Sequence, residues 1–119
     1  MTLEDLKKEY PFIEESKDIQ TQYVLDGSRM YREDEMLAET YKKFEFDDFA
    51  KYANYDGLIE LLSPDYLSEL ANLTIVIENI NDMLVNSGQF DLKRYFGMLS
   101  IVNDEWRKKN ADLFKVVVR

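Results

Sequence analysis

With 119 residues, 45% of them apolar and no cysteine or histidine, the chain is long enough for one core without disulfides. Its composition excludes thiolate metal sites, histidine bases and the common nucleophilic triads. Net charge is −9 and uneven: residues 1–60 hold 16 acidic against 8 basic side chains (−8), residues 61–119 hold 8 against 7 (−1). Such a field disfavours direct contact with nucleic-acid phosphates and favours basic partners. Length gives one domain over residues 1–119. The charged start, Met1 to Leu6, has no signal-peptide run, and no apolar run nears the roughly 20 residues that span a bilayer, so a cytoplasmic protein without membrane contact is expected.

Thr2 is placed to cap a short first helix, with Asp5 completing a capping box and Leu3 and Leu6 forming its apolar edge; Pro11 ends it. Residues 19–33 read two ways. Asp26-Gly27 between Tyr23-Val24-Leu25 and Ser28-Arg29-Met30-Tyr31 is a hairpin signal. Tyr23, Met30, Leu37 and Phe44 are each seven apart, which favours helices on both sides of Gly27. Arg29 to Phe44 is then helical, with Leu37, Tyr41 and Phe44 inward and Glu39 paired outward with Lys42 and Lys43. Glu45 to Asp48 breaks the pattern, with Asp47 as a cap, before a further apolar edge at Phe49, Tyr52 and Ala53.

Ser63-Pro64-Asp65 and Ser87-Gly88 carry helix start and stop signals. Between them Tyr66, Leu70, Leu73, Ile77, Ile80 and Leu84 share one face at helical spacing, so Ser63–Gly88 reads as the central helix of the fold. Asp91 can cap a last helix to Phe114, with Leu92, Tyr95, Phe96, Leu99, Val102 and Trp106 on one face. The two long helices should pair antiparallel. Residues 115–119 have strand composition. The expectation is an all-α, mainly helical bundle of four to six helices, with minor β structure at 19–33 or 115–119.

With four scattered glycines there is no phosphate cradle, and no cofactor is expected. The acidic, aromatic-rich stretch from Tyr31 to Tyr55 and its flank is the leading candidate: Glu33, Asp34, Glu35, Glu39, Glu45, Asp47, Asp48 and Asp56 would bind a basic protein surface. Carboxylates on a helical scaffold imitate a phosphate backbone, and aromatics anchor hot spots. Such surfaces occur in small phage-encoded inhibitors of host nucleic-acid enzymes, so the sharper expectation is a non-catalytic inhibitor, of viral type, that occupies a nucleic-acid-binding groove.

A second candidate uses Glu35 and Glu39 on one helix and Glu78 and Asp82 on another, each pair four apart, to hold Mg²⁺ through oxygen ligands. In this the chain resembles the all-α nucleotide pyrophosphohydrolases, which use acidic residues on neighbouring helices. The resemblance covers short fragments, departs from that family's closer i, i+3 pairs, and implies Mg²⁺-dependent nucleotide hydrolysis. A third reading makes the chain a structural helical homo-oligomer. Ile75 and Ile101 are the odd apolar residues on polar helical faces, to be covered by the N-terminal helices, by a second copy in a homodimer, or by a partner.

Overall fold

The computed structural model describes residues 1–17, 23–46, 54–109 and 113–119. Helix α1 spans Leu3–Glu9, and the Thr2–Asp5 capping box is formed in both directions. A short strand β1 (Ile13–Glu15) follows, then β2 (Tyr23–Asp26), a 3-10 turn (Gly27–Arg29) and α2 (Glu33–Lys43). Then come α3 (Tyr55–Leu61), β3 (Leu73–Glu78), α4 (Ile80–Asn86), α5 (Gln89–Arg107) and β4 (Phe114–Val118).

The four strands make one sheet in the order β1-β4-β3-β2, and every pairing is parallel. The register sets Tyr23 beside Ile75, and Ile75 beside Val116. Parallel neighbours need helical crossovers. Helices α2 and α3 lie in sequence between β2 and β3, and α4 and α5 between β3 and β4.

The expected all-α bundle is therefore overturned: this is an α/β fold. The central helix Ser63–Gly88 does not exist. Its first part is a turn, in which Ser63 Oγ accepts from the Tyr66 amide at 3.2 Å; its middle is β3; only its end is helical, as α4. The misreading has a physical cause. A spacing of four residues satisfies the period of a helix and the period of a strand alike. Leu73 and Ile77 share a face of β3, and Ile80 and Leu84 share a face of α4, so one apparent stripe runs through two different elements. A strand covered on both sides reads as a continuous apolar run rather than an alternation, and Leu73, Ile75, Val76 and Ile77 are all buried.

The stretch at Gly27 is neither a hairpin nor a pair of helices. Residues 23–26 pair with β3, some fifty positions along the chain, which no local signal announces. Asp26 caps the turn that follows, accepting from the Ser28 amide. The strand composition at 115–119 corresponds to β4. Asp91 lies in the first turn of α5, whose N-cap is Gly88.

Leu25, Ile75, Ile77, Val116 and Val118 join Leu6, Met36, Leu58, Met83, Tyr95, Phe96, Leu99 and Trp106 in one apolar cluster. Val76 and Val117, on the alternate face of their strands, are buried as well. The cluster holds α3 and α5 in register: Trp106 Nε1 donates to the Leu62 carbonyl at 2.8 Å.

Candidate functional site

The acidic residues of the N-terminal half separate into those already matched within the molecule and those left open. At the start of α2, Arg32 Nε lies 3.6 Å from carboxylate oxygens of both Asp34 and Glu35. Glu33 is held at 3.0 Å by Arg94 of α5. The Arg94 guanidinium also covers the rings of Tyr55, at 5.1 Å, and Phe90, at 5.6 Å. Exposed pairs of this kind contribute little to stability, but they cancel much of the local charge. Glu39 is buried, and its Oε2 accepts from the Asp26 amide at 2.8 Å. It thus ties α2 to the end of β2 instead of pairing outward with Lys42 and Lys43. Glu45 is exposed just after α2, with φ of 61°. Asp47 and Asp48 lie outside the described residues.

Helix α3 presents two open carboxylates on one face. Asn54 caps it, its Oδ1 accepting from the Gly57 amide at 2.7 Å. Tyr55, Leu58 and Leu61 face the core, and Asp56 and Glu60, four apart, face solvent. Among the described residues neither Asp56 nor Glu60 has an ion-pair partner. Residues four apart on a helix stand one above the other, so the two carboxylates form a short outward-facing column. Glu60 was missed in the sequence because it stands alone, away from the acidic runs.

The support beneath this column is aromatic. Tyr55 stacks at a tilt against Tyr95, 6.5 Å between ring centres. Tyr95 Oη and Thr40 Oγ1 lie 2.8 Å apart, linking α5 to α2. Burial holds the Tyr55 and Tyr95 hydroxyls neutral far beyond the ordinary tyrosine range, with Glu33 adding to the effect at Tyr55. The core side of α3 therefore stays uncharged while its outer face carries charge.

The Mg²⁺ constellation is not assembled. Glu78 belongs to β3, not to a helix, and is bound by Arg119 at 2.7 Å. Glu39 is spent on Asp26, Glu35 faces Arg32, and Asp82 is exposed on α4. Among the described residues no group of three or more such side chains could hold a metal ion. Ile75 is not an interface residue: it is fully buried in β3 between Tyr23 and Val116. Ile101 is about half exposed on α5. Among the described residues no helix is long and apolar enough to cross a membrane.

A family model described as barstar (barnase inhibitor) matches residues 20–119. The chain belongs to the barstar family. No curated protein and no solved structure shows detectable similarity to it. Barstar membership agrees with the α/β architecture and makes the chain an inhibitory protein–protein interaction domain. The matched residues run from β2 to β4, so that α1 and β1 lie outside the barstar match. Within the matched part, α3 combines an exposed pair of open carboxylates with a cap, a buried aromatic base and a pinned far end.

Proposed function

We propose that the chain inhibits a basic ribonuclease of the barnase type by seating the outer face of α3 in the groove that takes the RNA backbone. The observation that carries the reading is the open pair Asp56 and Glu60, set against the neutralised acids of α2. A carboxylate that already faces an arginine has little field to offer a partner, whereas an open one offers all of it. The acidic residues Asp47 and Asp48 stand close before α3 in sequence and reinforce the same sign. Family membership supplies the class of target, and the −8 of residues 1–60 supplies long-range attraction to a basic protein. Stable protein inhibitors also need a rigid face, because ordering a loose one on binding consumes affinity. Helix α3 meets that need through Asn54, Tyr55 and the Trp106–Leu62 hydrogen bond. The reading requires no viral origin.

The test is titration of a barnase-type ribonuclease with the purified chain, at several salt concentrations. The double substitution Asp56→Asn with Glu60→Gln removes charge without changing shape. It is expected to slow association by about tenfold or more and to flatten the salt dependence. The control Asp34→Asn with Glu35→Gln, which removes acids already matched by Arg32, should change little. Inhibition that is insensitive both to salt and to the α3 substitutions refutes the proposal.

A further inference from the structure

A second site lies away from α3, where the segment before the barstar match meets the body of the fold. The segment is firmly seated. Leu6, Tyr10 and Ile13 are buried, the Tyr10 ring packs 5.8 Å from Phe96, and Tyr10 Oη donates to the Lys93 carbonyl. Strand β1 pairs with β4. Between the segment and α5 a cavity of about 360 Å³ remains open. That volume lies within the range of small-molecule sites. One wall comes from residues 11–14 and the other from α5 and β4, so the cavity depends on a part of the chain outside the barstar match.

Its lining is chemically specific. Phe12 and Phe114, with ring centres 6.1 Å apart and planes at 44°, form an aromatic wall. Asn103 lines the cavity from α5 with only 6% of its surface exposed, and among the described residues its side-chain amide has no hydrogen-bond partner. An unpartnered amide at a cavity wall offers a donor and an acceptor to whatever enters. Four charged side chains complete the lining, Arg107 and Lys115 of one sign and Glu14 and Asp104 of the other. Although they share one cavity, none of the four is ion-paired with another or with any other described residue.

We propose that this cavity binds a free aromatic amino acid. A ligand with both a cationic and an anionic group satisfies the two signs of unpaired charge. An apolar ring lies against Phe12 and Phe114, and Asn103 takes the remaining polar atoms. A nucleotide could set its phosphate against Arg107 and Lys115 but has no cationic group to meet Glu14 and Asp104, and it would enter a protein of net charge −9.

The probe is phenylalanine, titrated into the full-length chain and followed by calorimetry and by amide chemical shifts. Saturable binding is expected at about 1 mM or below, with a rise in melting temperature by mass action. Shifts should centre on residues 11–14 and 100–107. Phenylalanine amide, which lacks the carboxylate, and 3-phenylpropionate, which lacks the ammonium, should each bind roughly tenfold more weakly. A peptide with an N-terminal phenylalanine should behave like the amide. Asn103→Leu should weaken binding by a similar factor with helicity retained; Lys115→Gln, at an exposed position, serves if that variant does not fold. Absence of saturation by phenylalanine, equal binding of the two analogues and the amino acid, tighter binding of the peptide, or preferential binding of a nucleoside monophosphate overturns the proposal. None of these readouts involves a ribonuclease, so the outcome is independent of the function proposed for α3.

Discussion

Two glycine-to-alanine substitutions should move stability in opposite directions. Gly27 opens the 3-10 turn after β2 with an ordinary negative φ, so its identity is a matter of space and not of conformational freedom. A Cβ added there would stand 2.6 Å from the Glu78 carbonyl oxygen and 2.9 Å from that of Asn79. Both are backbone atoms at the β3–α4 junction, and Asn79 is itself held at φ of 55°. Relief therefore requires the junction to withdraw, disturbing the Asn79–Asp26 hydrogen bond of 2.9 Å. Overpacking of this kind costs about 1–3 kcal/mol, and rigid backbone neighbours place Gly27→Ala near the upper end. Gly97, in the middle of α5, has nothing within 4 Å of its added Cβ. Gly97→Ala should gain about 0.5–1 kcal/mol from helix propensity. Urea unfolding followed by far-UV circular dichroism, with the slope unchanged, measures both. At this chain length roughly 4 °C accompanies each kcal/mol, so the two melting temperatures should lie on either side of the wild type. A Gly27→Ala protein as stable as the wild type refutes the close-approach argument.

Ile75→Ala should cost about 2–5 kcal/mol, as a core truncation in β3, whereas Ile101→Glu should stay within about 0.5 kcal/mol; equal effects would contradict their different burial. Trp106→Phe removes the hydrogen bond to the Leu62 carbonyl and should cost about 1–3 kcal/mol in the same assay, by leaving a buried acceptor unmatched. Asp26 has its carboxyl held below its ordinary value of 3.8, first by the Ser28 hydroxyl and then by the Asn79 amide. Its contribution is present above the unfolded value and is lost as pH falls through the lower folded one. Stability measured against pH should therefore fall on the acid side below about pH 4, and Asp26→Asn should reduce that fall.

Parts of this structure were legible because their causes are local. Thr2 and Asp5 specify a capping box within four residues, and α1 begins there. The apolar face of α5 repeats over five turns, long enough to exclude a strand. Val116 to Val118 carry strand preference in their branched side chains. What failed had non-local causes. Residues 23–26 become a strand only because β3 is beside them. Leu73 and Ile77, four apart, fit either period. Ile75 looked misplaced because a strand buried on both faces has no polar side. At the candidate site the excess of acid was readable, but not its allocation: Arg94 reaches Glu33 from sixty-one positions away, and Glu39 turns inward to Asp26. Once those acids are accounted for, an isolated residue such as Glu60 gains weight that no run of charge gave it.

The position of β4 has a consequence for how the chain acquires its structure. It is the latest strand in sequence, yet it lies second in the sheet, between β1 and β3. A nascent chain emerging from the ribosome can bring β2 against β3 early, but β1 has no neighbour until residues 114–118 appear. Loop-closure entropy makes such long-range pairings slow. During synthesis the apolar edge of β3 is thus an unpaired template for other strands. The insertion of β4 closes that edge and gives β1 its strand neighbour, whereas the contacts of Tyr10 with α5 do not wait for it.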